Sequence, residues 1–428
     1  MLGIELDNEL IELILDCCDV CSLVRLAGYV LGDCNSLPWS VGAIVVPYNL
    51  WRHHGDTRPI QEYWSRMQLF MRWAESTADN TTGLVTVNGL GDCNSPSGVS
   101  EDGIPAQVAS FAQLLAWRMM AEMAEAIGRH DDMEAAQQMV TNITTAYRAA
   151  YSQRNGSYLY QGKGVDGAQV ANSMALWVDV PAAEDIPAVV ETLVKDIEKR
   201  GDHLSTGTIG TRTLFEALSM HNETEVAFRV AVQDSYPSHG NLVRHANATT
   251  LFETWEAGSG SEPSTDMSMN HIMLGGQQPW YFSVLVGLSQ APGVEGAGWA
   301  SVRVWPRVPR ALAGAAMQLA TDHGLIAVQW TQGNATALNR TRFALTVSIP
   351  VGTRAELCMP TFELDAQSLA IHELGVNGTI GQAAWRDGMY VATAGCSTAA
   401  ARAGAVCFGC GSGNYTFGLV GGRPMKVG

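Results

Sequence analysis

The sequence predicts a mainly α-helical protein with a C-terminal β domain, namely a toroid of paired helices followed by an antiparallel β-sandwich. Apolar residues recur at helical spacing from residue 40 to residue 290, with almost no strand-like alternation. After Pro292, short β-branched or aromatic runs alternate with Gly, Asn and Pro, as is typical of a β-sandwich. The predicted domains are an atypical segment over 1–32, the helical domain over 33–292 and the β-domain over 293–428.

The individual helices are predicted from apolar stripes and from residues typical of helix ends. Residues 59–77 form such a stripe after Asp56, which is interpreted as a cap, and residues 105–127 form another that ends at Gly128. Asp131 and Glu134 have the spacing of a capping box that opens the next helix. Further helices are predicted over 168–179, 187–200, 211–221 and 267–289.

The cysteines predict a disulfide rather than a zinc site, and five runs in the β-domain predict strands. Nine cysteines are present, and an odd number leaves at least one thiol without an intramolecular partner. The Cys18-x-x-Cys21 and Cys407-x-x-Cys410 pairs lack histidines at ligand spacing, so no zinc site is predicted. Cys396 is expected to pair with Cys407 or with Cys410. The strands are predicted over Leu325–Thr331, Phe343–Pro350, Arg354–Pro360, Met389–Thr393 and Tyr415–Leu419.

Charge and sequons restrict the classes of function and the compartment. The net charge of −16 over 428 residues disfavours nucleic acid and anionic membranes as partners, and no apolar run reaches the length of a membrane span. The opening residues lack the basic region of a signal peptide. The glycosylation triplets nevertheless predict a secretory-pathway glycoprotein, so the two observations together lead us to expect a lost N-terminus. They begin at Asn80, Asn142, Asn155, Asn222, Asn247, Asn334, Asn339, Asn377 and Asn414.

Five stretches carry motifs that point to a known family. Residues 37–43 read Leu-Pro-Trp-Ser-Val-Gly-Ala, and residues 89–93 read Gly-Leu-Gly-Asp-Cys. Residues 235–240 read Ser-Tyr-Pro-Ser-His-Gly, and residues 248–255 read Ala-Thr-Thr-Leu-Phe-Glu-Thr-Trp. Residues 268–271 read Ser-Met-Asn-His. Together they resemble the catalytic helical barrel of the family 78 α-L-rhamnosidases. The resemblance implies that the helical toroid is an (α/α)6 six-hairpin barrel, incomplete in this sequence.

The resemblance implies a catalytic role and several sugar contacts. Glu253 takes the position of the general base that activates water in an inverting hydrolysis, a reaction that needs two carboxylates. His271 is expected to hydrogen-bond a rhamnose hydroxyl, and Trp39 to offer an apolar face to the sugar. Asp92 and Trp255 are expected to contact the substrate as well. The resemblance implies a rhamnose-containing glycoside or polysaccharide as substrate, and neither a metal nor a cofactor.

The sequence also departs from the family pattern. The Asp-Cys-Pro-x-Arg-Asp-Glu-Arg segment, which carries the general acid in the family, does not occur. Cys93 and His239 stand where the family has tryptophan. We therefore expect an N-terminally truncated rhamnosidase with weak or no activity, because a missing acid costs roughly 10²–10⁴-fold in rate.

Several alternatives remain open from the sequence. A binding-only pseudoenzyme would keep the barrel without the acid. A polysaccharide lyase on the same toroid would use Tyr236, His239 or His271 for acid–base work. Glu256 is either a partner of Glu253 or merely solvated. A glycan on Asn247, six residues before Glu253, would crowd the pocket, so this sequon is expected to be unoccupied or to point outward.

Overall fold

The structure is a computed structural model, and it divides into two compact units. Residues Arg52–Asp56 and the chain from Gln278 onward form one unit, and the other described residues form the first. The division therefore falls after Gln277, before the boundary predicted at residue 292. Hydrogen bonds of Arg52 connect this short segment to the second unit. Its guanidinium donates to the carbonyl oxygen of Gly293 and, at 2.9 Å, to that of Ala291.

The described residues are 37–86, 91–96, 104–153, 156–158, 168–256, 268–333, 342–362, 364, 369–374, 380–386, 388–391, 395–402 and 404–421. The predicted segment 1–32 lies outside them. So do Cys18 and Cys21, and the four sequons at Asn155, Asn334, Asn339 and Asn377.

The predicted helices of the first unit are confirmed to within a few residues, except the last. None of the described helices is both long and apolar enough to cross a membrane. In chain order the α-helices are Leu37–Ser40 (α1), Gly42–His54 (α2), Arg58–Ser76 (α3), Ile104–Ala126 (α4), His130–Tyr151 (α5), Ala168–Trp177 (α6), Ile186–Lys199 (α7), Thr208–Met220 (α8), Thr224–Ala231 (α9) and His239–Arg244 (α10).

Helix α3 forms because its large apolar residues share one face. The predicted stripe, including Trp64, Met67 and Met71, is buried in full. Burying one large apolar side chain contributes about 1.5–3 kcal/mol, so tertiary packing stabilises this helix more than local propensity does. The prediction that Asp56 caps α3 is wrong, because the helix begins after Thr57 and Pro59 lies in its first turn, where a missing N–H costs nothing.

The predicted capping box of α5 is also wrong. The helix begins at His130, one residue before Asp131, and no side chain caps it. The carboxylate of Asp132, in the first turn, instead accepts hydrogen bonds from Trp64 Nε1 at 2.9 Å and Gln68 Nε2 at 3.1 Å. The polar residues of this turn therefore join α5 to α3 rather than closing its own end.

The helix predicted over 267–289 is not one continuous helix. Residues 268–272 are irregular, and Met273–Gln277 is a 3₁₀ turn that contains Gly275 and Gly276. A short α-turn and a π-helical turn, Tyr281–Val286, follow. Adjacent glycines weaken a helix through backbone entropy, and Pro279 removes a donor just beyond them. The last apolar residues then enter a strand, Leu288–Gln290.

The second unit is built from two sheets, which confirms the predicted sandwich. The strands are Leu288–Gln290 (β1), Ser301–Val304 (β2), Gly314–Thr321 (β3), Gly324–Gln332 (β4), Phe343–Ile349 (β5), Arg354–Pro360 (β6), Ala370–Leu374 (β7), Ile380–Arg386 (β8), Met389–Tyr390 (β9), Cys396–Arg402 (β10), Ala405–Cys410 (β11) and Gly413–Gly421 (β12). One sheet has the order β1-β2-β6-β11-β10, and the other β3-β4-β5-β12-β7-β8-β9. All pairs are antiparallel except β2 with β6, which is parallel.

Side chains from both sheets meet in one core. Trp330 and Phe343 of the larger sheet and Leu357 and Phe408 of the smaller sheet belong to the same buried cluster. The rings of Phe408 and Phe417 stack with centroids 4.9 Å apart, which joins β11 to β12 across the sandwich. Alternation of buried and exposed residues along β5 is what the strand period requires.

Two disulfides connect neighbouring strands of the smaller sheet. Cys396 pairs with Cys410, which confirms one of the two predicted alternatives, and Cys407 pairs with Cys358. Each bond joins residues that lie directly opposite each other, in β10 with β11 and in β6 with β11. Cys93 is in neither of these disulfides. The Cys407-x-x-Cys410 pair is thus part of a disulfide framework rather than a metal site.

Candidate active site

Glu253 lies on an irregular segment that pairs with the segment around Ser268. The backbone N–H of Glu253 donates to the carbonyl of Ser268 at 2.9 Å, and the N–H of His271 donates to the carbonyl of Leu251 at 2.8 Å. The Thr250 hydroxyl donates to the carbonyl of Met269. This pairing places the two residues that the motifs single out most strongly, Glu253 and His271, on adjacent antiparallel segments.

The carboxylate of Glu253 is held by the same pairing. The backbone N–H of Ser268 donates to Glu253 Oε2 at 2.8 Å, so one carboxylate oxygen has a fixed donor. Glu253 is half-buried, whereas its neighbours Phe252 and Thr254 are buried. An oriented, partly accessible carboxylate in apolar surroundings has the geometry that a general base requires.

Trp255 anchors this segment and does not face solvent. Its side chain is 1% exposed, and its Nε1–H donates to the carbonyl of Thr206 at 2.9 Å. The ring of His239 packs edge-on against it, with centroids 4.9 Å apart. The predicted substrate contact of Trp255 stays a prediction. Since its face and its one donor are used inside the protein, the residue supports the loop that carries Glu253.

His239 is a packing residue as well. Its Nε2–H donates to the carbonyl of Leu274 at 2.8 Å, which lies in the 3₁₀ turn after His271. Burial lowers the pKa of His239 below its usual value, and the hydrogen bond to Leu274 offsets part of that effect. The side chain thereby connects the 239 and 255 segments to the turn at Leu274.

Asp92 has a structural role at the beginning of α8. Its carboxylate accepts the backbone N–H groups of Gly207, Ile209 and Gly210 at 2.7, 2.7 and 2.8 Å. The side chain is 2% exposed. These are the donors that a helix N-terminus leaves without intrahelical partners, and a carboxylate there also interacts favourably with the helix dipole. The predicted sugar contact of Asp92 stays a prediction.

The approach of the Asp92 segment to α8 requires a glycine. A Cβ at Gly207 would lie 2.0 Å from the carbonyl oxygen of Cys93, inside any permitted contact. That carbonyl accepts the N–H of Thr208 at 2.9 Å. The Gly-Asp-Cys stretch therefore packs directly against the start of α8. The carbonyl of Thr206, next to Gly207, accepts the hydrogen bond from Trp255.

Tyr236 and Glu256 form a further contact beside this loop. The Tyr236 hydroxyl donates to Glu256 Oε1 at 3.3 Å, and both side chains are half-buried. Ser235 Oγ lies 2.8 Å from His203 Nε2, which holds the start of the same segment. Glu256 is therefore engaged with Tyr236 and not merely solvated. Sequence reasoning missed the contributions of Ser268 and Thr206, because backbone partners leave no signal in residue type. It also missed His203, which lies outside the family motifs.

Trp39 is the remaining residue of the predicted site. The backbone of Trp39 belongs to α1, but its side chain lies outside the described residues, so its sugar contact stays a prediction.

Among the described residues, Glu356, Cys358 and Cys407 bring potential ligand atoms together. Since the two sulfurs are joined to each other, they are not thiolates and do not fit a metal ion.

A helical-hairpin domain with a carboxylate-bearing loop, followed by a β-sandwich, defines the six-hairpin class of glycosidases. The family model described as the bacterial alpha-L-rhamnosidase 6 hairpin glycosidase domain matches residues 30–285. The bacterial alpha-L-rhamnosidase C-terminal domain matches residues 288–369. The chain belongs to the bacterial α-L-rhamnosidase family, which confirms the resemblance and the predicted fold class.

Curated relatives and solved structures agree with this assignment. The chain is 27% identical over 326 residues to an α-L-rhamnosidase of Streptomyces avermitilis, covering 75% of this chain and 29% of the relative. A relative from Formosa agariphila is 24% identical over 333 residues, covering 76% of this chain and 34% of the relative. The chain thus spans about a third of the length of these relatives.

The solved structures show the same fold at low identity. The α-L-rhamnosidase from Dictyoglumus thermophilum has a TM-score of 0.75 at 22% identity, covering 90% of this chain and 40% of that one. The Streptomyces avermitilis α-L-rhamnosidase complexed with L-rhamnose has a TM-score of 0.71 at 24% identity, covering 89% and 32%. The helical domain and the β-domain therefore occur together, as here, within longer rhamnosidases.

Proposed function

We propose that this chain is a glycoside hydrolase acting on α-L-rhamnosides, with Glu253 as the general base of an inverting reaction. The observation that carries the proposal is the hydrogen bond from the Ser268 N–H to Glu253 Oε2, which orients a half-buried carboxylate on a loop anchored by Trp255. The carboxylate would take a proton from water as its oxygen attacks the anomeric carbon and the glycosidic bond breaks. His271, on the paired segment, is proposed to bind a rhamnose hydroxyl.

The leaving oxygen needs a second carboxyl group in this reaction. The family segment that supplies it does not occur in the 428 residues, and we propose that the general acid is missing from this sequence. Substrates whose leaving group departs as a stable anion do not need that acid. The proposal therefore predicts that 4-nitrophenyl α-L-rhamnoside is hydrolysed and that methyl α-L-rhamnoside is hydrolysed far more slowly.

The test is an assay of both substrates with the full chain and with Glu253→Gln. Removing the base should lower turnover of the nitrophenyl substrate by about 10²–10⁴-fold. Nuclear magnetic resonance of the first sugar formed should show inversion at the anomeric carbon. Undiminished turnover by Glu253→Gln would exclude this residue as the base, and a retained anomer would exclude the inverting mechanism.

A binding-only pseudoenzyme is the second candidate, and the absent acid segment favours it. It predicts that methyl α-L-rhamnoside binds in calorimetry while neither substrate is turned over. We favour hydrolysis over a lyase, because the Nε2–H of half-buried His239 donates to the carbonyl of Leu274 and Tyr236 donates to Glu256. The substrate class proposed for either function is a rhamnose-containing glycoside or polysaccharide.

We also propose that the chain folds in the secretory pathway. Two disulfides in the β-domain support this, because such bonds persist in oxidising compartments. The five sequon asparagines within the described residues, among them Asn247, are all exposed. Asn247 has a φ of 51° and lies on the surface, in keeping with the expectation that this sequon points outward. Mass spectrometry of the secreted protein under non-reducing conditions would test both features.

A further inference from the structure

A groove lies in the helical unit apart from the Glu253 loop. It has a volume of about 460 Å³ and is bordered by Thr81 and Thr82 on one side and by Asn142, Ala146 and Ala149 of α5 on the other. This volume falls within the range of about 300–1,000 Å³ that small-molecule sites occupy. None of its lining residues belongs to the segments that hold Glu253.

Both walls of the groove are fixed to helix α4. Gln113 accepts the N–H of Val85 at 2.9 Å and donates to the carbonyl of Gly83 at 3.0 Å, which holds the turn that carries the threonines. Ser110 donates to the carbonyl of Val85 at 3.1 Å and lies 3.0 Å from the hydroxyl of Tyr151, the last residue of α5. The groove therefore exists before any ligand enters it.

The walls offer apolar surface more than charge. Asp79 Oδ1 accepts the N–H groups of Thr81 and Thr82 and the Thr82 hydroxyl at 2.8–3.0 Å, so these three donors are used within the turn. The Thr145 hydroxyl donates to the carbonyl of Thr141 in its own helix at 2.9 Å. Alanine methyl groups complete the α5 side. A neutral ligand with C–H faces suits this lining better than an ion.

Two glycosylation triplets meet at this groove. Asn142 is exposed, begins the triplet Asn142-Ile143-Thr144 and itself lines the groove. Its Oδ1 accepts a hydrogen bond from Gln138 one turn earlier at 2.9 Å, which restrains the amide on the helix surface. Across the groove, Thr82 is the third residue of the triplet that begins at exposed Asn80. A sugar attached to Asn142 Nδ2 is tethered beside the apolar surface.

We infer that Asn142 carries an N-linked oligosaccharide whose first N-acetylglucosamine lies in this groove. In the modification, the amide nitrogen attacks C1 of a lipid-linked oligosaccharide and loses a proton. The N–C1 bond forms as the C1–O bond to the lipid pyrophosphate breaks. The sugar's acetyl methyl group and ring C–H face then cover the alanines. This inference rests on the proposed secretory route, but not on rhamnosidase activity.

Occupancy is tested by secreting the full chain from a eukaryotic host behind a secretion leader. Peptide N-glycosidase F treatment in ¹⁸O-labelled water should mark Asn142 in peptide mapping, and Thr144→Ala should abolish the mark. An unmarked Asn142 in a protein that is marked at Asn80 or Asn222 would overturn the site. A protein marked at none of the described sequons would overturn the secretory proposal as well.

Seating in the groove is tested by the rate of glycan release from the folded protein. Release at Asn142 should be about tenfold slower than at Asn222, a protection of about 1.4 kcal/mol. Equal rates in the parent protein would overturn the seating. Ala149→Gln, at an exposed helical position, should narrow the groove and raise the rate at Asn142 only. Ala183→Gln, an exposed alanine outside the groove, is the matched control, and equal effects of both variants would contradict the proposal.

Discussion

Glu253 and Ser268 are joined by two reciprocal hydrogen bonds. The Glu253 N–H donates to the Ser268 carbonyl at 2.9 Å, and the Ser268 N–H donates to Glu253 Oε2 at 2.8 Å. The second bond uses the backbone, so the side chain of Ser268 is not needed for it. The proposed base is therefore oriented by a peptide group, and this leads to a sharp test.

Ser268→Pro removes the N–H that orients Glu253, whereas Ser268→Ala keeps it. We expect the proline variant to lose about 10²-fold in kcat/KM on 4-nitrophenyl α-L-rhamnoside, because a displaced catalytic group costs about that much. The alanine variant should stay close to the parent. Equal activity of the two variants would show that the peptide donor does not position the base.

Trp255→Phe should lower the free energy of unfolding by about 1–3 kcal/mol, because the buried carbonyl of Thr206 loses its donor. Urea unfolding followed by circular dichroism measures the change. Trp73→Phe, at a half-buried ring that packs on Phe70, is the matched control and should change stability much less. A larger loss in the control would argue against an anchoring role of the indole N–H.

Asp92→Asn should destabilise the protein by about 1.5–3 kcal/mol, the usual worth of hydrogen bonds to a charged group. The amide places an NH₂ group where Gly207, or Ile209 and Gly210, needs an acceptor. Asp185→Asn is the control, because Asp185 precedes α7 without a side-chain capping bond. Thermal unfolding of both variants decides the matter, and similar shifts would contradict the assigned role of Asp92.

The lowered pKa of His239 predicts a pH dependence of stability. Near pH 6.5 and below, the unfolded chain binds a proton that the folded protein excludes. Stability at this site should therefore fall as the pH decreases from about 6.5 towards the lowered folded pKa, by up to about 1.4 kcal/mol per pH unit. Urea unfolding from pH 7.5 to 5.5 should show a shallower slope for His239→Phe than for exposed His130→Gln. Identical slopes would refute the contribution of His239.

Removal of either disulfide should weaken the β-domain. Sequence separations of 14 and 49 residues correspond to about 3 and about 4 kcal/mol in the chain-entropy model. The variants Cys396→Ala/Cys410→Ala and Cys358→Ala/Cys407→Ala should unfold at lower urea concentration, as monitored by the fluorescence of buried tryptophans such as Trp330. Reductant should destabilise the parent protein in the same direction. Insensitivity to both would exclude a stabilising role.

Local patterns in the sequence determined the helices, the strands and the family. The stripe that includes Trp64 and Met71 is visible along the chain because one helix face is buried, and the alternation along β5 is visible because one sheet face is buried. The motif around Glu253 was likewise readable, since its residues are consecutive. The prediction of one continuous helix over 267–289 was wrong, because apolar periodicity does not show that the adjacent glycines interrupt the helix.

Only the tertiary structure decided what the individual site residues do. Asp92 meets Gly207 across 115 positions of the chain, and Trp255 meets Thr206 across 49. The acceptors and donors in these contacts are peptide groups, which every residue carries, so no residue type announces them. The sequence therefore marked Asp92, Trp255 and Glu253 alike as site residues. The fold separated the half-buried carboxylate of Glu253 from two buried side chains that hydrogen-bond peptide groups at the start of α8.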